Sequence, residues 1–381
     1  MVNITNNHKE AELELPYGYD TGVETEGEDE DDNPIIEPFD PTLIRVATLT
    51  ATVDLLISRL KNKEIDLAPG FQRKGGIWTD KAQSRLIESL LIKIPLPAFY
   101  MDATDDDKWL VVDGLQRLTA LKRFVIEQTL QLSGMEFLYQ LNGKTFDQLP
   151  RALQRRILET QVTVYQIEKG TPSGVKFNIF KRINTGGMPL SAQEIRHALN
   201  QGPVTDFLMT LASSEEYKRA TSNSIRSDRM ADREFALRFL AFALSPPSEY
   251  KAKDFDSFLN DTMKTLNHSP SQKREELNQR FRRSMQGAHD IFGKYAFRKR
   301  TDSRIQPINK PLFEACSVCI DALSDQQLKD VVHRKSKVEE KMILLLQDTD
   351  FNNAISLSTG DVRKIRLRFS AIGNLFAEVL K

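Results

Sequence analysis

The sequence predicts an α+β protein, with a small mixed sheet towards its N-terminus followed by a mainly α-helical domain. Three observations carry that expectation. Short apolar runs such as Trp109, Leu110, Val111 and Val112 alternate with helix-period stripes up to about residue 200. Asp113-Gly114 joins that run directly to a helix. Beyond residue 200 no convincing alternating segment appears, and helical patterns dominate. The expected division is an acidic tail over residues 1–42, an α+β domain over 43–200 and a helical domain over 201–381.

The tail is set apart by charge. Glu24, Glu26, Glu28, Asp29, Glu30, Asp31 and Asp32 fall within nine positions, a run too polar to bury a core. Residues 1–40 hold thirteen Asp/Glu and one Lys, and the remainder holds 52 Lys/Arg against 40 Asp/Glu. The zero net charge is therefore a tail of −12 on a body of +12, and a basic body suits a polyanionic partner such as nucleic acid or nucleotide. The tail is either a solubilising arm or a segment that folds back on the basic surface and competes with nucleic acid. Two cysteines and the lack of any signal-like or long apolar stretch predict a cytoplasmic protein with no membrane partner.

Order is expected from about Leu43. Val53, Leu55, Leu56, Ser58 and Leu60 suggest a first helix, and Glu64 to Leu67 a short strand. Pro69-Gly70 turns the chain into Phe71-Gln72-Arg73. Asp80, three residues before Gln83, has capping-box spacing for a helix whose stripe is Ala82, Leu86, Ile87, Leu90 and Leu91. Pro95 and Pro97 end it, and Leu96 to Met101 reads as a strand leading to an Asp-rich hairpin tip over 102–108.

The next strand ends in the Asp113-Gly114 turn, and a helix with Leu115, Leu118, Leu121 and Val125 follows to about Leu130. A helix start leaves backbone N–H groups unpaired, which favours an anion such as phosphate. Asp113 can cap those donors or hold a cation; Gln116 and Arg117 lie in the first turn, and the Arg117 fork suits phosphate. An ordinary Asp-capped helix with a surface Arg is the alternative. Residues 137–146 around Asn142-Gly143 read as a hairpin, Arg151, Arg155 and Arg156 as a basic helix, and 162–167 as a half-buried strand. Phe177 to Asn184 reads as a helix running into Gly186-Gly187, and Ser191 with Glu194 as a second capping box.

Three blocks, Phe71-Gln72-Arg73, Asp113-Gly114-Leu115-Gln116-Arg117, and Phe180-Lys181-Arg182-Ile183-Asn184 with Leu190-Ser191 and Glu194, occur in an order that resembles the N-terminal domain of GmrSD-type restriction proteins, a branch of the ParB/sulfiredoxin-like superfamily. The resemblance covers roughly residues 48–200. The family signature is Asp-Gly-Gln-Gln-Arg; here position 115 is Leu, which removes one polar side chain from the turn. The resemblance implies a small mixed α/β domain that binds a nucleoside triphosphate (GTP or ATP) with Mg²⁺ and hydrolyses it. It implies Asp113 on the metal or on water, Gln116 and Arg117 on the phosphates, and Gln72 and Arg73 lining the pocket. Gly114 and Thr119 would belong to the same nucleotide site, and Lys181, Arg182 and Asn184 would close it or touch the ligand.

Other candidates are less specific. The five histidines, His8, His197, His268, His289 and His333, are too scattered for the HNH nuclease of some restriction proteins. Arg283 and His289 match a loose Arg-x5-His ribonuclease pattern that arises easily by chance. Cys316 and Cys319 form a Cys-x-x-Cys pair, but Phe313, Cys316 and Ile320 fall on one apolar helix face and no second pair completes a zinc site, so buried thiols are expected. Glu194 and His197 are one turn apart, two ligands without a third. Arg283, Lys294, Arg298, Lys299 and Arg300, within a wider Arg/Lys cluster interleaved with Phe281, Tyr295 and Phe297, suit either DNA-backbone contact or a solvated face over core aromatics.

The expected function is a nucleotide-binding, NTP-hydrolysing component of a bacterial anti-phage or DNA-restriction system, with DNA as partner and a separate nuclease or ATPase as effector. The alternatives are a non-catalytic nucleotide- or DNA-sensing switch and a ParB-type DNA nuclease. Homo-oligomerisation stays open.

Overall fold

The computed structural model describes residues 23–24, 44–67, 78–183, 190–227, 229–251, 254–300 and 305–381. Up to residue 200 the order is β1 (Val46–Thr52), α1 (Val53–Lys61), β2 (Ile65–Asp66), α2 (Asp80–Leu91), β3 (Phe99–Asp102), β4 (Trp109–Asp113), α3 (Leu115–Leu121), α4 (Arg151–Leu158), β5 (Gln161–Ile167), α5 (Ser173–Ile183) and α6 (Ala192–Leu199). The five strands form one mixed sheet in the order β1-β5-β3-β4-β2. β1 runs antiparallel to β5 and β3 antiparallel to β4, whereas β3 lies parallel to β5 and β2 parallel to β4.

Alternation along the strands sends side chains to two layers. Phe99, Met101, Trp109, Val111, Val162 and Val164 pack under α1 to α4, with Leu56, Ile87, Leu118 and Ile157 among their neighbours. On the opposite face Val112 and Ile167, with Tyr100 and Leu110, meet Phe177 and Phe180 of α5 and Ile195 of α6.

Several local expectations change. β1 is a strand that the sequence reading did not name. Thr79, not Asp80, caps α2, its Oγ1 accepting the Ala82 N–H at 3.2 Å; Asp80 instead pairs with Arg123 at 2.8 Å. The helix after the central turn is α-helical only to Leu121 and then widens into a π turn over Lys122–Ile126. The expected hairpin over 137–146 is replaced by 3₁₀ turns at Tyr139–Leu141 and Phe146–Gln148. Its cause is buried Glu88, whose carboxylate accepts the N–H groups of Glu136, Phe137 and Leu138 at 2.7–2.9 Å and removes them from any ladder. Those bonds hold the Glu88 pKa below its ordinary value although burial opposes them.

From Pro203 onward every regular element among the described residues is helical: α7 (Pro203–Ala212), α8 (Glu215–Ala220), α9 (Ala231–Leu244), α10 (Phe255–His268), α11 (Ser271–Phe292), α12 (Lys310–Asp321), α13 (Asp325–His333), α14 (Lys335–Gln347), α15 (Thr349–Ala354) and α16 (Val362–Leu380). Their core is aromatic, with Phe313 packed edge-on to Phe235 at 4.9 Å and Phe281 against Phe239 at 5.2 Å. Through it runs a buried ionic chain. Arg238 bonds both Glu234 and Glu314, and Arg368 meets the other Glu314 oxygen at 2.6 Å. The chain reaches the sheet domain through Arg196 of α6, 2.5 Å from Asp256 and 3.8 Å from Glu234. Burial raises the Glu234 pKa, but Lys310, Arg238 and Arg196 outweigh it and hold the carboxyl well below the usual range.

Candidate functional site

The site is built where β4 becomes α3. Asp113 ends the strand, and Gly114 turns the chain with φ +101°, a conformation that favours glycine. A Cβ at Gly114 would stand 2.4 Å from Phe99 Cδ1, so the backbone here fits closely over a buried ring. The first bond into α3 is Leu118 N–H to Gly114 O at 2.9 Å. Among the described residues no side chain caps the helix, whose first N–H groups have no partner within the helix itself.

Asp113 turns to Arg117 instead, with Nη2 2.6 Å from Oδ2. Arg117 is only 8% exposed. It donates to the carbonyls of Pro97 and Ala98, and its guanidinium lies over the Phe99 ring, 4.6 Å from the centroid. Burial lowers its pKa while Asp113 opposes the shift. Arg117, which the alternative reading placed on the surface, is an embedded cation that fixes one Asp113 oxygen. Gln116 Oε1 accepts the Trp78 N–H at 3.1 Å, and the Gln116 Nε2 has no partner among the described residues. Thr119 donates to the Leu115 carbonyl within its own helix at 2.8 Å. Leu115 packs with Leu110, Leu190 and Ala198.

Sequence reasoning missed two neighbours. Tyr100 is the cross-strand partner of Asp113 and stacks on Tyr165 with centroids 4.8 Å apart. Burial raises the Tyr100 pKa, and Tyr165 and Asp113 add to it. Only the strand register brings these residues together, and no spacing in the sequence announces it. Lys176 of α5, also missed, pairs with buried Asp102 at 2.9 Å and with Thr104 at 2.8 Å.

Lys181 and Arg182 occupy the last turn of α5 and are exposed. Lys181 approaches Asp256 at 3.8 Å, and Arg182 has no partner among the described residues. Gln72, Arg73 and Asn184 lie outside the described residues. The Ser191 capping box forms as expected, and Glu194 also holds Arg229 at 3.1 Å. His197 is buried, which with Arg233 pushes its pKa down to about 4 against the pull of Asp206. Among the described residues no three His, Cys, Asp or Glu side chains gather as a metal site. Cys316 and Cys319 are free thiols, and burial raises both pKa values.

The basic candidates of the helical domain are largely occupied. Arg283 pairs with Asp325 at 2.8 Å and donates to the Leu323 carbonyl. Arg298 is buried on the Gln306 and Thr221 carbonyls and Ser224 Oγ. Arg300 meets Glu339 at 2.5 Å and stacks over Tyr295. Lys299 meets Glu24 at 2.6 Å. Lys294 is exposed, its ammonium 5.1 Å from the Tyr295 centroid. No helix among the described residues is long and apolar enough to cross a membrane.

With this geometry in place, residues 55–200 match the family described as GmrSD restriction endonuclease, N-terminal domain. The sheet domain belongs to that family. No curated protein matches the chain. The GmrSD-type span begins inside α1 and ends after α6, so it contains the Asp113 turn, α5 and the Ser191 capping box. It omits β1, although β1 pairs along its whole length with β5 of the matched span.

Proposed function

We propose that this chain is a component of a bacterial anti-phage or DNA-restriction system, and that its GmrSD-type domain binds and hydrolyses a nucleoside triphosphate with Mg²⁺. The observation that carries the reading is the Asp113-Gly114 turn. One carboxylate oxygen is anchored by Arg117, no described side chain caps the first turn of α3 that follows, and Gln116 in that turn accepts the Trp78 N–H through Oε1. Mg²⁺ is commonly held by one or two carboxylates plus substrate phosphates, a donor set that Asp113 fits. The ion would neutralise charge on the transferring phosphoryl group. Asp113 would hold the ion, the first-turn N–H groups and Gln116 Nε2 would donate to phosphate oxygens, and Arg117 would orient Asp113 rather than touch phosphate. Lys181 and Arg182, with Gln72, Arg73 and Asn184, complete the candidate set, and DNA and a nuclease or ATPase effector are the proposed partners.

A second reading, a nucleotide- or DNA-sensing switch without turnover, is favoured by Leu115. It packs against α6, the helix whose Arg196 enters the ionic chain of the helical domain. Phosphate release from ATP, GTP, CTP and UTP with Mg²⁺, with and without duplex DNA, separates the readings. Release that disappears in Asp113→Asn supports hydrolysis and identifies the base. Absence of release together with a nucleotide-dependent rise in Tm supports the switch.

A further inference from the structure

Val23 and Glu24 lie on the helical domain, far in sequence from everything they touch. Val23 forms a parallel bridge with Ile308, and the Glu24 N–H donates to the Ile308 carbonyl at 2.9 Å. Ile308 is bridged on its other side to Arg298, and the Asn309 N–H donates to the Phe297 carbonyl at 2.9 Å. The Ile308 backbone is thus the middle member of a minimal three-stranded arrangement with an added outer segment. Val23 packs against the aromatic core of the helical domain.

The Glu24 carboxylate is held by two donors. Lys299 Nζ lies 2.6 Å from Oε1, and Asn309 Nδ2 donates to Oε2 at 3.1 Å. Both donors are themselves positioned, Lys299 by Ser356 Oγ at 2.7 Å and Asn309 by the Ile355 carbonyl at 2.8 Å. Asn309 is also the N-cap of α12, so the carboxylate sits at the positive end of a helix. Backbone pairing, an apolar contact and a two-donor carboxylate clamp together make a built receptor.

We infer that the Ile308–Asn309 edge with Lys299 is a docking surface for an extended acidic segment, filled in cis by Val23–Glu24. Its occupant anchors the acidic arm, which carries a charge of −12 over residues 1–40 in sequence, on a body of +12. A tethered ligand is present at high effective concentration, so the arm competes with any polyanion that approaches this basic domain. The docking does not depend on nucleotide hydrolysis, and its test leaves that reading untouched.

The experiment uses full-length wild type, Glu24→Lys and Lys299→Glu with a fluorescent peptide of residues 18–32. Releasing the native arm opens the surface, so Glu24→Lys should capture the peptide at least about tenfold more tightly than wild type. Glu24→Lys combined with Lys299→Glu should lose that gain. Equal peptide binding by wild type and Glu24→Lys overturns the docking surface. In a parallel titration with duplex DNA, Glu24→Lys should bind more tightly than wild type at low salt, the difference shrinking as salt rises. DNA affinities equal at low salt, or no DNA binding by either protein, overturn the competition.

Discussion

Arg117 Nη2 and Asp113 Oδ2 stand 2.6 Å apart, so the two charged residues of the central turn neutralise each other across one turn of chain. This pair makes the Asp113 carboxylate a fixed group rather than a mobile one. The same guanidinium closes the turn against the preceding strand through the Pro97 and Ala98 carbonyls.

Arg117→Ala should therefore destabilise the fold by about 3 kcal/mol, because it strands a carboxylate and two carbonyls together. Urea unfolding measures it. Arg117→Lys keeps the charge but loses the planar fork, and should recover less than half of the loss. A cost below about 1 kcal/mol for Arg117→Ala would mark the pair as a screened surface contact instead.

Gly114→Ala combines positive φ with a close approach to Phe99 and should cost about 2–3 kcal/mol. Gly143→Ala is the matched control. Its φ is +80° with nothing within 4 Å of the added Cβ, so the backbone cost of about 1 kcal/mol should stand alone. Equal losses in the two variants, read from denaturation midpoints, would remove the steric part of the argument.

In the ionic chain, Glu314 is fully buried between Arg238 and Arg368. Glu314→Ala leaves two buried guanidinium groups without this partner and should cost about 3–5 kcal/mol. Glu314→Gln retains acceptor capacity and should cost less. A loss under about 1 kcal/mol for Glu314→Ala, by calorimetry or urea, would show that water replaces the carboxylate.

His197 gives a pH dependence. Its pKa falls from 6.5 in the unfolded chain to about 4 when folded, so the unfolded state binds more protons between those values. Stability is complete above about pH 6.5 and is lost as pH falls towards 4, by about 3 kcal/mol in all. His197→Gln should flatten the stability profile over that window. A wild-type slope in the variant would assign the acid loss to other groups.

Much of the sheet domain is legible because its elements are short and punctuated. The run from Trp109 to Val112, broken by Asp113-Gly114, gives strand, turn and helix from local chemistry alone. β1 escaped because Val46-Ala-Thr-Leu-Thr-Ala-Thr carries few large apolar residues, and its strand character comes from pairing with β5, far along the chain. The false hairpin at 137–146 had correct turn residues, but Glu88, on another helix, took the N–H groups a ladder needs. At the candidate site, the strand-turn-helix around Asp113-Gly114 was legible, and the pairing of Asp113 with Arg117 was not read from it. Asp113 and Arg117 have the i,i+4 spacing of a helical ion pair, a signal that favours mutual pairing over phosphate contact. Of the ionic chain only the i,i+4 pair Glu234–Arg238 leaves a local trace, because Arg196, Glu314 and Arg368 sit on three other helices widely separated in sequence.

The pairing of β1 with β5 also fixes a schedule for synthesis. Val46 finds its partner only in Ile167, 121 residues later, so β1 leaves the ribosome without the strand it pairs with. At about 5–20 residues per second, that wait lasts roughly 6–24 s. The Asp113 turn is made inside this interval, before its sheet is closed. During it, β1 presents a nascent strand with unpaired backbone groups, the kind of segment that chaperones shield.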